Sequence, residues 1–167
     1  MKVRIRKAVA HDATAIAGIH CRSWDAAYTG FLPSWFIASK NSGRAAMWKD
    51  SLATDHNTYC ALGRNGPAGF VALLSPCRDR DIEDGGEIGA LYVSPECQGQ
   101  GIGACLLDFG ARVLRDLGHE RAVLWVLEEN PHARHVYAKY GFIPDGARKE
   151  VAPGLEVMEI RYRLNLA

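Results

Sequence analysis

The strongest constraint on the fold is a glycine-rich turn that joins an apolar strand to an amphipathic helix, within residues 91–104, LYVSPECQGQGIGA. Gly99, Gly101 and Gly103 occupy the turn, and apolar residues then recur at helical spacing over the following turns. A β-rich segment at 122–127 comes next. This order of strand, turn, helix and strand predicts a mixed α and β fold in which the helix crosses over a sheet.

The rest of the chain alternates predicted strands with predicted helices. Arg64-Asn65-Gly66-Pro67 separates two β-rich runs and predicts a hairpin turn, because Asn-Gly tolerates positive φ. The charged segment 78–86, RDRDIEDGG, is interpreted as a solvated surface loop, with a substrate-facing lid as the alternative. We predict strands over 3–9, 58–62, 68–74, 87–93, 122–127 and 156–164, and helical regions over 11–28, 34–52, 101–117 and 132–140.

The composition is that of an ordinary folded domain. The chain has 167 residues, of which 48% are hydrophobic and 23% charged, so disordered, collagen-like and coiled-coil classes are excluded. This length predicts a single domain over residues 1–167. Lys and Arg number 20 against 19 Asp and Glu, and a net charge of +1 supplies no basic surface for nucleic acid or an anionic membrane. We therefore expect neither of these partners.

The N-terminal segment MKVRIRKAVAHD contains no signal-peptide core, and no apolar run is long enough to span a membrane. A cytoplasmic location is therefore predicted. No C-x-x-C pair occurs, and His132 and His135 lack a third ligand in motif, so neither a disulfide framework nor a metal site is expected. The cysteines, predicted to be reduced, are Cys21, Cys60, Cys77, Cys97 and Cys105.

The glycine turn is a candidate anion site. Unpaired N–H groups and the positive end of a helix dipole attract phosphate or pyrophosphate. A Walker A loop is excluded because no Gly-Lys-Ser/Thr follows the glycines. A dinucleotide site stays open, since Gly99, Gly101 and Ala104 satisfy G-x-G-x-x-A and Glu128 and Glu129 stand near the end of the next strand.

Two motifs together resemble the GNAT superfamily of acetyl-CoA-dependent N-acetyltransferases, and the resemblance covers essentially the whole chain. The signature Q/R-x-x-G-x-G/A is matched by residues 98–103, directly after the strand that ends at Val93. The second signature is an Asn followed by A-x-x-x-Y and Gly-Phe. It is matched by Asn130, Ala133, Tyr137, Gly141 and Phe142.

The resemblance implies an α/β (α+β) fold with a mixed, mostly antiparallel twisted sheet flanked by helices, and acetyl-CoA bound in the cleft between two splayed central strands. In this family the signature loop holds the CoA pyrophosphate through backbone N–H groups. A backbone N–H near Val93 would donate to the thioester oxygen, and Asn130 would bond to the pantetheine arm. The residues so assigned to acetyl-CoA are Leu91, Tyr92, Val93, Gln98, Gly99, Gln100, Gly101, Ile102, Gly103, Asn130, Ala133 and Tyr137.

The resemblance makes Tyr137 the general acid that protonates the departing CoA thiolate. A phenol, with a reference pKa of about 10, is a protonated donor at neutral pH. Ala133, one helical turn earlier, leaves room beside it. Glu87 is the candidate base, because strand parity places it on the same sheet face as Leu91 and Val93. Release of the amine proton to bulk water is the alternative.

Acceptor recognition is expected from the first two predicted helices. The segment SWDAAYTGFLP, residues 23–33, is similar to the acceptor-side helices of one bacterial branch of the family. Trp24 and Tyr28 share a helical face, and with Asp25 they would suit a small cationic amine. Packing of both aromatic side chains in the core is the alternative.

The predicted function is transfer of the acetyl group of acetyl-CoA to a primary amine of a small molecule or a protein. Attack is direct, in a ternary complex, so Cys97 and Cys105 are not assigned as nucleophiles. Two other functions stay open: an NAD-dependent oxidoreductase built on the Gly99-Gly101-Ala104 turn, and a non-catalytic acyl-CoA-binding module. Members of the family often form homodimers, which leaves a homodimer open beside the monomer.

Overall fold

A computed structural model describes residues 3–54 and 56–167 of the chain. Seven strands form one sheet with the order β1-β2-β3-β4-β5-β7-β6. The strands are β1 (Arg4–Lys7), β2 (Asn57–Gly63), β3 (Gly66–Leu74), β4 (Gly85–Val93), β5 (Arg121–Leu127), β6 (Ile143–Glu150) and β7 (Met158–Asn165). The helices are α1 (Ala13–Tyr28), α2 (Ser34–Ser42), α3 (Arg44–Leu52), α4 (Ile102–Asp116) and α5 (Pro131–Tyr140).

Most strand pairs with a defined register are antiparallel. The β1–β2, β5–β7 and β6–β7 pairs run antiparallel, whereas β4 and β5 run parallel. The β4–β5 ladder pairs Gly85–Glu87 with Arg121–Val123, the first three residues of each strand. The mostly antiparallel α/β fold expected from the family resemblance is confirmed. A dinucleotide fold would need a doubly wound parallel sheet, so the oxidoreductase alternative is not favoured.

Two predicted elements differ from the observed ones for local reasons. The helical region 34–52 consists of two helices, α2 and α3, which meet at Gly43, the residue type with little preference for a helix interior. The first strand is shorter than predicted, because Val9 leaves it for a short 3₁₀ turn. The Val9 N–H donates to an Asp12 carboxylate oxygen at 2.9 Å, and Arg6 pairs with the same carboxylate and lowers its pKa.

The chain divides into two compact units, each built from two segments. The first unit comprises Met1–Ala72 and Ala90–Asp108, and the second comprises Leu73–Gly89 and Phe109–Ala167. The prediction of one domain over residues 1–167 stays a prediction. Buried residues that form the core of the first unit are Ala8, Ala13, Ile16, Ala17, Ile19, Trp48, Leu52, Cys60 and Phe70. Buried in the second unit are Ile88, Leu114, Ala122, Val123, Leu124, Val126, Phe142, Ile160, Tyr162 and Leu166.

The charged segment 78–86 is not simply a solvated loop, and that prediction is wrong in part. Gly85 and Gly86 are buried in β4, and two aspartates of the segment pair with the buried Arg161 of β7. Arg161 Nη2 lies 2.6 Å from an Asp81 carboxylate oxygen, and Arg161 Nη1 lies 3.4 Å from one of Asp79. The Asp81 bond, together with one from Asp145 of β6, raises the pKa of Arg161, and the two aspartate contacts connect the segment to β7. Partners distant in the sequence therefore decide where these charges lie.

None of the helices in the described ranges is both long enough and apolar enough to cross a membrane.

The backbones of β3 and β4 approach each other closely at Gly69 of β3. A Cβ atom at Gly69 would lie 2.9 Å from the Tyr92 carbonyl oxygen, 3.1 Å from Leu106 Cδ1 and 3.3 Å from Val93 Cα. We expect Gly69→Ala to lower the free energy of unfolding by about 1–3 kcal/mol, because backbone and side chain must both shift. Urea unfolding measures the change.

The matched control is Gly43→Ala, because nothing lies within 4 Å of a Cβ there and φ is −90°. This variant should gain about 0.4–1 kcal/mol from reduced freedom of the unfolded chain. Equal stabilities of the two variants would contradict the close approach at Gly69.

Candidate functional site

The glycine-rich turn of the first unit has the backbone conformation that its glycines permit. Gly99 and Gly101 have φ of +74° and +79°, values that side-chain-bearing residues rarely adopt. Nothing lies within 4 Å of a Cβ atom at either glycine. Residues Gln98 to Gly101 are exposed, so the turn presents open backbone immediately before α4 begins at Ile102.

Three backbone donors of this turn have no backbone acceptor in the part of the chain that the structure describes. Within the described residues, the backbone N–H groups of Gly99, Gln100 and Gly101 donate to no other backbone group. The next N–H groups belong to the first turn of α4, where helical geometry provides no partner. Together they form a row of donors at the positive end of a fifteen-residue helix. The arrangement suits a phosphate or pyrophosphate, as the sequence predicts.

Side chains fix the turn to the end of β4. Gln98 Nε2 donates to the Val93 carbonyl oxygen at 3.3 Å, and Ser23 Oγ of α1 donates to the same oxygen at 3.1 Å. The Ser94 N–H donates to the Ala68 carbonyl of β3 at 2.8 Å. A Cβ at Gly103 would lie 3.7 Å from Val93 Cγ2, so the first turn of α4 packs against the end of the strand. These contacts therefore fix the position of the backbone at Val93, where the turn begins.

An aromatic cluster of the first unit surrounds Tyr92, the residue before Val93. Trp24 Nε1 donates to the Tyr92 hydroxyl at 2.9 Å, and the hydroxyls of Tyr28 and Tyr92 lie 3.4 Å apart. Trp24 and Tyr28 pack edge to face with their ring centroids 4.8 Å apart, which confirms their shared helical face. The Tyr92 ring stacks on His20 at 4.6 Å. The side chain of Tyr92 thus belongs to this cluster.

Asp25 is exposed, and its hydrogen-bond partner is Asn41 of α2 and not a residue of the aromatic cluster. Its carboxylate accepts from Asn41 Nδ2 at 3.0 Å, and Asn41 Oδ1 accepts from Arg44 Nε at 3.2 Å. Arg44 is buried, and its guanidinium lies 4.3 Å from the centre of the Trp24 ring. Sequence reasoning missed Arg44, although its position four residues before the apolar Trp48 places a charge on the buried face of α3.

His20 is buried in this cluster as a neutral side chain. Burial and the nearby charge of Arg44 lower the pKa of His20 to about 3. His20 Nδ1 accepts from Trp48 Nε1 at 3.1 Å and faces Arg44 Nη1 at 3.2 Å, so this nitrogen carries no proton. The hydrogen bonds therefore assign the proton to Nε2.

We expect stability to fall as pH drops below 6.5, because the unfolded chain then protonates His20 while the folded protein does not. Since the unfolded state binds more protons, this group lowers the free energy of unfolding by up to about 1.4 kcal/mol per pH unit between pH 6 and pH 4. His20→Gln should remove that slope. Urea unfolding from pH 8 to pH 4 measures it, and the difference at pH 8 isolates lost packing. Parallel stability curves for the two proteins would contradict the lowered pKa.

In the second unit, Asn130 begins α5. Its Oδ1 accepts from the Ala133 N–H at 3.0 Å, so the side chain caps the helix, with Pro131 in the first turn. The capping bond uses the oxygen and leaves the Nδ2 donors for another partner. The role of Asn130 toward pantetheine stays a prediction.

Tyr137 is half-buried on α5, one turn after Ala133. Its ring meets the buried Phe142 edge to face with centroids 6.2 Å apart. The helix itself is held by Arg134, whose Nη1 donates to the Glu128 carbonyl at 2.8 Å. The ring position is therefore defined by packing of the Asn130-to-Phe142 motif, while the catalytic role of Tyr137 stays a prediction.

Glu87 of β4 is buried with only 1% of its side chain exposed. Arg78 binds both carboxylate oxygens: its backbone N–H and Nε donate to Oε2 at 3.2 and 3.1 Å, and Nη2 donates to Oε1. The Arg78 side chain is 64% exposed, and the bond to Glu87 raises its pKa. The alternation of side chains along the strand did not indicate this ion pair. Both oxygens of the carboxylate that was proposed as a base therefore already accept hydrogen bonds from Arg78.

Across residues 3–54 and 56–167, no three His, Cys, Asp or Glu side chains are grouped so that they could hold one metal ion.

Comparison with known sequences identifies close similarity to acetyltransferases. A family profile described as "Acetyltransferase (GNAT) family" matches residues 22–142. An uncharacterized N-acetyltransferase of Bacillus subtilis, YuaI, is 31% identical over 130 residues, which cover 77% of this chain and 74% of the relative. A probable N-acetyltransferase of Mycobacterium tuberculosis, Rv2775, is 29% identical over 170 residues, covering 97% and 93% of the two chains.

Solved structures share the fold along nearly the whole chain. The PaiA N-acetyltransferase from Thermoplasma acidophilum, in complex with coenzyme A, superposes with a TM-score of 0.78 at 22% identity and covers 99% of both chains. The acetyltransferase yncA from Salmonella typhimurium, with acetyl-CoA, has a TM-score of 0.74 at 19% identity, covering 100% of this chain and 95% of that one. At these identities the likeness concerns the fold.

Proposed function

Because the chain belongs to the acetyltransferase (GNAT) family, we propose that it transfers the acetyl group of acetyl-CoA to a primary amine of a small molecule or a protein. The observation that carries the proposal is the turn at Gly99–Gly101. In the described part of the chain its N–H groups have no backbone acceptors, and both glycines have the positive φ that exposes those groups. The family motif Q-x-x-G-x-G lies on the same residues.

The donor row fits the pyrophosphate of the cofactor. The N–H groups of residues 98–103 would hold the two phosphates, since an anion there gains from both the hydrogen bonds and the helix dipole. Among them, the Gln98 N–H donates to the Pro95 carbonyl oxygen at 3.3 Å and would have to exchange that bond for a phosphate. Asn130 would donate from Nδ2 to the pantetheine arm. The backbone N–H of Val93 would stabilise negative charge that develops on the thioester oxygen. Bound acetyl-CoA would supply the acetyl group as an activated thioester.

Tyr137 is proposed as the proton donor. In the overall reaction the amine nitrogen gains the acetyl group and loses one proton, and the CoA sulfur gains one proton. A neutral phenol can supply the proton to sulfur and recover one from solvent. No side chain of the protein becomes acetylated, so no nucleophilic cysteine is required.

The amine must lose a proton before or during attack. Glu87 is the proposed base, and Arg78 would have to give up its bonds for the carboxylate to accept one. Arg78 is mostly exposed and lies on the segment before β4, so its guanidinium would stay solvated if it left the buried Glu87 carboxylate. Bulk water stays the alternative acceptor of the proton.

The acceptor is proposed to bind at the aromatic cluster, with Trp24, Asp25 and Tyr28 as the contacting residues. All three belong to α1, and the hydroxyl of Tyr28 lies near that of Tyr92, one residue before Val93.

Calorimetric titration with acetyl-CoA tests the proposal, with NADH as the control ligand and a thiol-release assay against a panel of amines on the same protein. Saturable binding of acetyl-CoA with thiol release for at least one amine is expected. Binding of NADH without binding of acetyl-CoA would overturn the proposal. Binding of acetyl-CoA without release for any amine would leave an acyl-CoA-binding module instead of an enzyme.

A further inference from the structure

Arg44 of α3 is a buried cation with incomplete hydrogen bonding. Only 7% of the residue is exposed. Its Nε donates to Asn41 Oδ1 and its Nη1 faces His20 Nδ1, each at 3.2 Å. Its Nη2 is buried and has no hydrogen-bond partner among the described residues. An arginine carries five N–H donors and stays charged in proteins, so such a position is energetically unfavourable unless a partner arrives.

Among the described residues, the charge of Arg44 is not paired with a carboxylate. Within residues 3–54 and 56–167, no Asp or Glu lies within 4 Å of the Arg44 guanidinium, and Asp25 reaches it only through the side chain of Asn41. His20 beside it is neutral at pH 7, because burial and the charge of Arg44 lower its pKa to about 3. The cluster therefore has a net positive charge at its centre.

This charge also occupies the position where a cationic ligand would stack. The Arg44 guanidinium lies over the Trp24 ring, 4.3 Å from its centre, so the protein itself provides the cation for that aromatic face. The hydroxyls of Tyr28 and Tyr92 and the thiol of Cys21 each contribute to the electrostatic environment of the guanidinium. The hydroxyls of Tyr28 and Tyr92, 3.4 Å apart, form a longer contact than an ordinary O–H···O bond.

We propose that Arg44 is an anion-binding site for the acceptor, and that the acceptor is an amine that also bears a carboxylate, as an amino acid does. The carboxylate would accept hydrogen bonds from Arg44 Nη2 and from the Tyr28 hydroxyl. This inference rests on the proposed function and specifies its substrate class. The sequence suggested a small cationic amine as the acceptor, on the basis of Trp24 and Asp25. The present proposal adds a carboxylate to that amine.

The position in the fold supports the inference. Tyr92 connects the cluster to the end of β4, because Trp24 Nε1 donates to its hydroxyl and its backbone precedes Val93. An acceptor with its carboxylate on Arg44 would have its amine a few bonds away, on the side of the strand end. Charge-assisted bonds from arginine to a carboxylate are among the strongest that proteins form. Ligand binding would thus supply a counter-charge to Arg44.

The test compares acceptors with and without a carboxylate. L-leucine, L-methionine and L-phenylalanine are each assayed, at saturating acetyl-CoA, beside their amides, which keep the amino group and the side chain but replace the carboxylate by a neutral carboxamide. We expect kcat/KM for at least one amino acid to exceed that for its amide by about 10- to 100-fold. Arg44→Met should bring this ratio to about 1, and the Kd for acetyl-CoA should stay at the parental value.

Two further variants separate binding from folding. Lys49→Met removes one exposed positive charge from the same helix and should keep the wild-type ratio. Arg44→Lys keeps the charge but not the forked donor geometry, and it should retain part of the preference. Thermal unfolding of each variant shows whether it folds. If Arg44→Met does not fold, the ratio of kcat/KM for the amino acid to that for its amide, measured in the wild type and in Arg44→Lys, still tests whether Arg44 binds the carboxylate.

The outcomes separate the two proposals. Wild-type protein that prefers the amides, or treats both members of every pair alike, overturns the assignment of Arg44. A loss in Arg44→Met that is equal for both members of each pair also overturns it, since Arg44 is then structural. Calorimetric binding of the amino acids in the presence of CoA gives the same comparison without turnover. Failure of acetyl-CoA to bind at all overturns the proposed function itself.

Discussion

The Tyr137→Phe variant should turn over about 10²-fold more slowly than the parent protein, with its affinity for acetyl-CoA unchanged. Removal of the hydroxyl deletes the proposed proton donor to the CoA thiolate but keeps the ring. The ring meets Phe142 edge to face at 6.2 Å, and Phe142 is buried, so packing of α5 is preserved. The loss should therefore appear in kcat, measured by thiol release, whereas calorimetry should return the parental Kd.

Tyr140→Phe is the matched control for this result. Tyr140 is also a half-buried tyrosine of α5, and its ring also contacts Phe142, with centroids 6.0 Å apart. The control loses one hydroxyl from the same helix and the same aromatic contact, so it should retain parental turnover. Equal losses in both variants would mean that the helix, and not the proton donor, was disturbed. Unchanged turnover in Tyr137→Phe would remove Tyr137 from the reaction.

The Gly101→Val variant should bind acetyl-CoA about 10²-fold more weakly. Gly101 has a φ of +79°, where a β-branched residue is strained by roughly 1–2 kcal/mol, and the turn would relax to another conformation. The N–H groups before α4 would then no longer point at one phosphate. The new side chain would also extend into the open space that surrounds Gly101. Calorimetric titration with acetyl-CoA measures the change.

Gly118→Val serves as the control, because Gly118 has a φ of +92°, lies just after the other end of α4 and also has no neighbour within 4 Å of a Cβ. It introduces the same strain away from the donor row, so it should reduce stability while the Kd for acetyl-CoA stays parental. A Kd that rises equally in both variants would show that strain in α4, and not the donor row, controls binding. An unchanged Kd in Gly101→Val would remove the turn from the cofactor site.

Most elements were predictable because their signals are local. The helical period of the apolar residues predicted residues 101–117, and α4 spans Ile102–Asp116. An apolar run before the glycine-rich turn predicted the strand at 87–93, and β4 spans Gly85–Val93. The turn at Gly99 and Gly101 followed from the freedom of glycine at positive φ, and both values are positive. Each of these features depends on neighbours within a few residues along the chain.

The predicted helical region at 34–52 shows the limit of such signals. Apolar and polar residues on both sides of Gly43 suit a helix, and only the glycine marked the division between α2 and α3. The segment 78–86 was harder, because its charges are indistinguishable from those of a solvated loop in the sequence. Its Asp81 pairs with Arg161, eighty residues away, and that pairing depends on how the strands of the second unit assemble.

Local periodicity and motif spacing thus determined the strands, the helices, the donor row before α4 and the family of this chain, because those properties arise from short stretches of residues. Tertiary structure alone decided which charges are paired. Arg78 binds the Glu87 carboxylate, and Arg44, 24 residues from its neighbour His20, is buried with its Nη2 unpaired among the described residues. The physical reason is that burial and ion pairing are set by packing of distant segments, which no local pattern in the sequence contains.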